Sequence, residues 1–205
     1  MDPNKTAIIL IGYQNDYFSP TGVLHGFIDD DVKIAGVLDN TLDLLARLRG
    51  SAVTCIATPI VFTADYNELQ QPMGILLAIK ENRAFQAGSR GAETIPEFAH
   101  FGTAILEIPG KRGLNAFYHT AVEQTLVERG ITHVVIAGAV TSVCIDSTAR
   151  AAHDRGYQVA VLSDCTVGKS RVEQDFFCQQ IMPLYATVMD RRELLKQLAI
   201  KYAPN

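Results

Sequence analysis

The sequence has no run of basic residues long enough to follow a phosphate backbone, and its net charge of −4 has the wrong sign for one. Nucleic-acid binding therefore has no footing, because it draws on clustered Lys and Arg. Long hydrophobic runs are missing as well. The apolar run near the start, Ala7 to Ile11, is too short for a signal-peptide core or a membrane span. A cytoplasmic chain with no membrane partner is the expectation. Cysteine is sparse: Cys55, Cys144, Cys165 and Cys178 are widely spaced and form no CxxC pair. Without a secretory signal, four such thiols are expected to be free. The five histidines, at 25, 100, 119, 133 and 153, are scattered. No metal site and no cofactor are expected from that spacing.

What is present is ordinary globular composition, with 48% hydrophobic and 20% charged residues over 205 positions. That suits one domain, residues 1–205, able to bury a single core. Thr6 to Ile11 is a continuous apolar run, which reads as a strand buried on both faces. Val37, Leu38, Leu42, Leu45 and Leu48 recur at helical spacing before Gly50. Ala52 to Thr63 reads as the next strand, with Pro59 near an edge or starting a separate extended piece. From Ala64 to Gly102 the periodicity weakens and turn residues accumulate, the pattern of a lid or binding loop.

Alternation then resumes. Strands are expected at Thr103–Glu107, His133–Ala137, Gln158–Ser163 and Ala186–Met189. Helices are expected at Ala116–Arg129, Ser142–Arg155, Arg171–Leu184 and Arg191–Lys201. Strands alternating with helices through short loops imply an α/β fold: a three-layer, doubly wound domain with a mostly parallel six-stranded sheet and helices on both faces.

Ligands of such sheets collect beyond the carboxyl ends of the strands. Three segments there carry reactive side chains: Gly12-Tyr-Gln-Asn-Asp16, Gly110-Lys-Arg-Gly-Leu-Asn-Ala-Phe117 and Gly138-Ala-Val-Thr-Ser-Val-Cys144. The last places Cys144 in the first turn of a helix, where the partial positive charge favours thiolate over thiol. Most free cysteines are nonetheless small buried hydrophobes. Lys111 could lie beside the thiol as a fixed cation, although a lysine taken alone is more often solvated at the surface. Cys55, Cys165 and Cys178 read as structural.

These three blocks, in this order, resemble the isochorismatase-like cysteine hydrolases, which include nicotinamidases and N-carbamoylsarcosine amidases. The family's Asp-x-Gln-x-Asp-Phe appears as Gly12-Tyr-Gln14-Asn-Asp16-Tyr17. Its Lys-x-x-x-Ser-Ala-Phe appears as Lys111-Arg-Gly-Leu-Asn115-Ala116-Phe117. Its Gly-x-x-Thr-x-x-Cys-Val appears as Gly138-Ala-Val-Thr141-Ser-Val-Cys144-Ile145. The similarity runs from Ile8 to Leu195. It implies that Cys144 attacks an amide-like carbon, with Lys111 holding the thiolate. It also implies a cis peptide at Ala139–Val140 that aims the N–H groups of Val140 and Cys144 at the oxyanion. Tyr17, Ala139 and Thr141 would line the pocket, the partner would be a small-molecule substrate, and the chain would form a homo-oligomer.

The resemblance breaks at Gly12, where the family has its catalytic aspartate. Glycine moves no proton, and losing a general acid–base costs about 10²–10⁴ in rate. Asp16 reads as a structural cap of its loop. Tyr13, His25 and Asp65 are further candidates to replace the aspartate. The nicotinamidase metal motif, Asp-x-His, is here Asp65-Tyr-Asn67, which argues against a metal of that kind. The sequence thus supports a cysteine hydrolase for a small amide, carbamoyl or ester-like substrate. The alternative is a catalytically impaired relative, natural or altered at Gly12, that binds a small molecule or partner in the same pocket.

Overall fold

The computed structural model describes residues 1–28 and 31–200. Six strands form one sheet: β1 (Thr6–Ile11), β2 (Thr54–Thr58), β3 (Ile105–Glu107), β4 (His133–Ala139), β5 (Gln158–Val167) and β6 (Thr187–Met189). Their order is β3-β2-β1-β4-β5-β6. Every pairing is parallel, so the sheet is parallel throughout rather than mostly so. All six residues of β1 are buried. Its apolar run does not alternate because the strand is central and covered on both faces.

Among the described residues seven α-helices accompany the sheet: α1 (Asn15–Phe18), α2 (Asp31–Leu48), α3 (Gly74–Glu81), α4 (Val122–Glu128), α5 (Asp146–Asp154), α6 (Arg171–Phe176) and α7 (Arg191–Gln197). Strand order grows one way from β1 and the other way from β4. Right-handed crossovers therefore put the helix after β1 and the helix after β4 on opposite faces. The buried apolar side chains form one continuous cluster. The strand order reverses between β1 and β4, so their carboxyl ends form the switch point at which sheets of this kind bind ligands.

Several boundaries differ from the periodicity, each for a local reason. The strand expected over Ala52–Thr63 stops at Thr58, because Pro59 has no N–H to give the ladder. Beyond it, Ile60 and Phe62 make only single parallel bridges, to Lys111 and Gln86. The helix expected from Ala116 begins at Val122. The Asn115 carboxamide accepts from the N–H groups of Phe117 (3.0 Å) and Tyr118 (2.9 Å), a side-chain turn that competes with helix. The stretch 171–184 is α6, a wide turn over Phe177–Ile181 and a tight turn over Met182–Leu184. β5 runs four residues past the expected Ser163, with a register break against β4 between Ile136 and Gly138. Within the irregular 64–102 segment, α3 is the regular piece. The helix expected over Arg191–Lys201 ends at Gln197, and Ala199 beyond it takes a left-handed backbone, φ +55°, that cannot continue a helix; Lys201 itself lies outside the described residues.

Arg191 latches α7 to the rest. Its guanidinium meets Asp164 at 2.6 Å and Asp43 at 3.0 Å, and Arg47 holds the other Asp43 oxygen at 2.8 Å. Burial pushes the Asp43 carboxyl up, but the two arginines outweigh it and its net shift is downward.

Candidate active site

The site is built where β1 and β4 end. Gly138 has φ +125°, and a Cβ there would lie 1.8 Å from the Ile11 carbonyl oxygen, so only glycine lets the two strand ends close. The next bond, Ala139–Val140, is cis. The chain then enters a wide turn, Thr141–Ile145, which leads into α5. The Thr141 hydroxyl donates to Gln174 Oε1 at 2.5 Å, and Gln174 Nε2 donates to the Ser163 carbonyl and to Thr166. Thr141 thus anchors the turn to β5 and does not line the cavity beside Cys144. Ala139 does not line it either. The Val140 carbonyl accepts from Val143 at 3.0 Å and from Ile145 at 3.2 Å, passing over the intervening Cys144 N–H.

Lys111 follows β3 and reaches the site because its backbone bridges Ile60, just past β2. Its side chain is fully buried. The ammonium donates to the Gly113 carbonyl at 2.6 Å and meets Cys144 Sγ at 3.4 Å. Among the described residues no carboxylate pairs with it. The thiol is 5% exposed. One carbonyl does not offset the hydration a buried ammonium loses, so the sulfur is the group placed to balance its charge.

Gly12 stands at the end of β1 with φ +73°. A Cβ on it would come 2.9 Å from the Ala139 carbonyl oxygen, and 3.4 and 3.6 Å from ring carbons of Tyr17. The Tyr17 ring therefore occupies the space a side chain at position 12 would enter. That ring packs against Phe85, with centroids 5.2 Å apart. Its hydroxyl makes no hydrogen bond to the described residues. Burial, then the nearby Cys144 and Asp16, hold the phenol well above its ordinary value, so it keeps its proton.

The other proposed proton carriers lie elsewhere. The Tyr13 hydroxyl is tied to Thr41 at 2.6 Å and to the Cys165 carbonyl at 3.1 Å. Asp16 accepts the Phe85 N–H at 2.6 Å and so holds the 83–91 loop. His25 Nδ1 bonds the Tyr17 carbonyl at 3.0 Å. Asp65 is exposed, bonded to Thr63 and Asn67, and these bonds lower its carboxyl despite a small opposing effect of burial. Among the described residues no three His, Cys, Asp or Glu side chains converge as metal ligands would.

Over Lys111 and Cys144 lies a narrow cavity of about 10 Å³, roughly one water's worth of room. Ile75, Leu76 and Ile79 of α3 roof it, Ile60 and Leu114 wall it, and Tyr17 completes it. Sequence reasoning placed no helix here, although apolar residues at 75, 76 and 79 carry helical spacing within Gly74–Glu81. A roomier hollow of about 310 Å³ beside β3, bounded by Thr94, Phe98 and Glu107, contains neither a thiol nor an ammonium.

The model of the Isochorismatase domain matches residues 6–193. The chain belongs to the isochorismatase family. Its relatives in this family of hydrolases include the isochorismatase family protein YecD of Escherichia coli, 28% identical over 202 residues, covering 97% of this chain and 98% of that one. The ureidoacrylate amidohydrolase RutB of Methylobacterium radiotolerans is 30% identical over 181 residues, covering 81% of this chain and 68% of the relative. A cysteine hydrolase from Pseudomonas syringae pv. phaseolicola has the same isochorismatase-type fold, with a TM-score of 0.85 at 21% identity over 98% of this chain and 96% of the other. No helix among the described residues is long and apolar enough to cross a membrane.

Proposed function

We propose that this isochorismatase-family protein is a cysteine-dependent hydrolase of a small amide, carbamoyl or ester-like substrate, with Cys144 as nucleophile and Lys111 as its fixed cation. One observation carries the reading: a fully buried ammonium 3.4 Å from a buried thiol, with no carboxylate paired to it. A thiolate neutralises that charge and is the nucleophilic form of cysteine. Their place in the turn entered from the cis bond supports a role for the N–H groups of Val140 and Cys144 in holding the oxyanion. The amidohydrolase relative supports an amide-like substrate class.

The sulfur attacks the acyl carbon, the carbonyl electrons move to oxygen, and collapse expels the leaving group to leave an acyl-thioester on Cys144. Water then releases the acid and restores the thiolate. In this reading Gly12 stands where the family's proton-carrying aspartate would be. An amine leaves poorly without that proton, so turnover of simple amides is reduced by about 10²–10⁴.

A second reading, an impaired relative that only binds a ligand here, draws support from the small cavity and from a backbone at Gly12 that resists any side chain. Alkylation separates the two. Burial pushes Cys55 up to about 12 and Cys178 up to about 11, and it also raises Cys165. These thiols stay protonated at neutral pH. Iodoacetamide followed by peptide mass spectrometry should therefore modify Cys144 first. Uniform labelling of all four would remove the nucleophile.

A further inference from the structure

The walls of the cavity restrict the substrate further than the reaction class does. We infer that the site selects a neutral, hydrocarbon acyl group carried on a leaving group that departs as an anion, such as a phenolate or thiolate. This inference rests on the proposed Cys144 chemistry.

The first half comes from charge. Among the described residues Lys111 is the one charged side chain lining the cavity apart from the thiolate it balances, and its other contact is the Gly113 carbonyl. An acyl chain ending in a carboxylate would bring a second negative charge to a single cation. A cationic chain would find no anion at all. Either charge would be buried without a partner. The roof offers only branched hydrocarbon, in Ile75, Leu76 and Ile79, with Leu114 beside them. Such a lining favours each added methylene by about fourfold until the space is filled.

The second half comes from protons. The position nearest the strand ends is Gly12, and the ring of Tyr17 lies against it. Tyr17 is the remaining O–H that lines the cavity, and no acceptor among the described residues holds it. It can donate a hydrogen bond to developing charge without surrendering its proton. A phenolate or thiolate needs no more than that: the C–O or C–S bond breaks with its electron pair going to the leaving atom, and Cys144 keeps the acyl group. An amine leaving group needs a full proton. Because the cavity has room for about one water, α3 must shift to admit any such substrate, so its side chains set acyl selectivity as they pack back against it.

The test uses the intact chain with the p-nitrophenyl esters of acetate, butyrate and succinate, and with butyryl p-nitroanilide. We expect a burst of p-nitrophenolate with the butyryl mass added to the Cys144 peptide. Butyrate should exceed acetate, and the hemisuccinate ester, whose acyl chain ends in a carboxylate, should be slower than butyrate by about tenfold or more. The anilide should lag the ester by about 10²–10⁴ beyond their difference in uncatalysed rate. Leu76→Arg should raise the hemisuccinate-to-butyrate ratio, and Leu76→Ala, a milder change, should lower butyrate selectivity. Equal use of butyrate and hemisuccinate, or of ester and anilide after that correction, would overturn the inference while leaving Cys144 as nucleophile. A burst that persists in Cys144→Ala would instead overturn the nucleophile itself.

Discussion

Replacing Gly12 with aspartate sets a backbone cost against a chemical gain, and the structure lets both be sized. Gly12 has φ +73°, where an L-residue pays about 1–2 kcal/mol, aspartate tolerating it better than most. The new Cβ would meet the Ala139 carbonyl oxygen at 2.9 Å, so the ends of β1 and β4 must part by a few tenths of an ångström. The Tyr17 ring, 3.4 Å from that Cβ, limits the directions the carboxylate can take. Together these predict a loss of roughly 1–3 kcal/mol, which for a chain of this size lowers Tm by about 2–12 °C. Gly12→Ala carries the same backbone strain without the carboxylate and should show a similar loss. Against this, a carboxylate that reaches the Cys144–Lys111 pair should raise amide turnover by up to about 10²–10⁴ over Gly12→Ala. That gain should vanish in Gly12→Asp, Cys144→Ala. Thermal unfolding and an amide-hydrolysis panel on the four proteins read both effects. If Gly12→Ala matches the parent in Tm, the strain argument is wrong. If Gly12→Asp is as stable as Gly12→Ala yet gains no amide turnover, a missing proton carrier is not what limits the enzyme.

Three further outcomes follow from the same geometry. Lys111→Met removes the ammonium 3.4 Å from Cys144 Sγ; iodoacetamide labelling of Cys144 should slow by about tenfold or more at neutral pH, while the apolar replacement of similar length holds the fold to within about 1–2 kcal/mol. Arg191→Ala should cost about 2 kcal/mol at pH 7 by denaturant titration, a figure already discounted for the partial exposure of Asp43 and Asp164. Because the Asp43 carboxyl is held below its ordinary value, its contribution is complete above the unfolded value near 4 and fades as pH falls through the folded one; the gap between parent and variant should narrow there, and a gap that widens in acid would contradict the pairing. The Thr58 hydroxyl is buried with no partner, so Thr58→Val should leave stability unchanged or raise it by up to about 1 kcal/mol, and a clear loss would reveal a hidden partner.

The order of elements was legible along the chain because it depends on neighbours in sequence. The unbroken apolar run Thr6–Ile11 reads as a strand covered on both faces, and all six of its residues are buried in β1. The glycine at 138 and the turn residues after it announced a strand-to-helix corner bearing Cys144, and the family resemblance added Lys111. Where two local preferences competed, periodicity misled: Asn115 bonded its own following amides and delayed α4 to Val122, and Pro59 cut β2 short.

The site's environment was not legible in this way. A lysine at 111 reads as a surface residue until Ile60 and the α3 roof bury it, and Tyr13 and Tyr17 look equally available in one dimension. Their side chains diverge: the hydroxyl of Tyr13 is sealed against Thr41 and Cys165, while Tyr17 comes to rest over Gly12 and beside Cys144. Whether position 12 can accept a side chain depends on how closely two strand ends from opposite halves of the chain approach. Sequence determines which residues are offered to the site through short-range propensity and hydrophobic pattern. Only the packed sheet, by bringing residues 12, 60, 75–79, 111 and 144 into one volume, decides which are dry, which are charged and which have room to react.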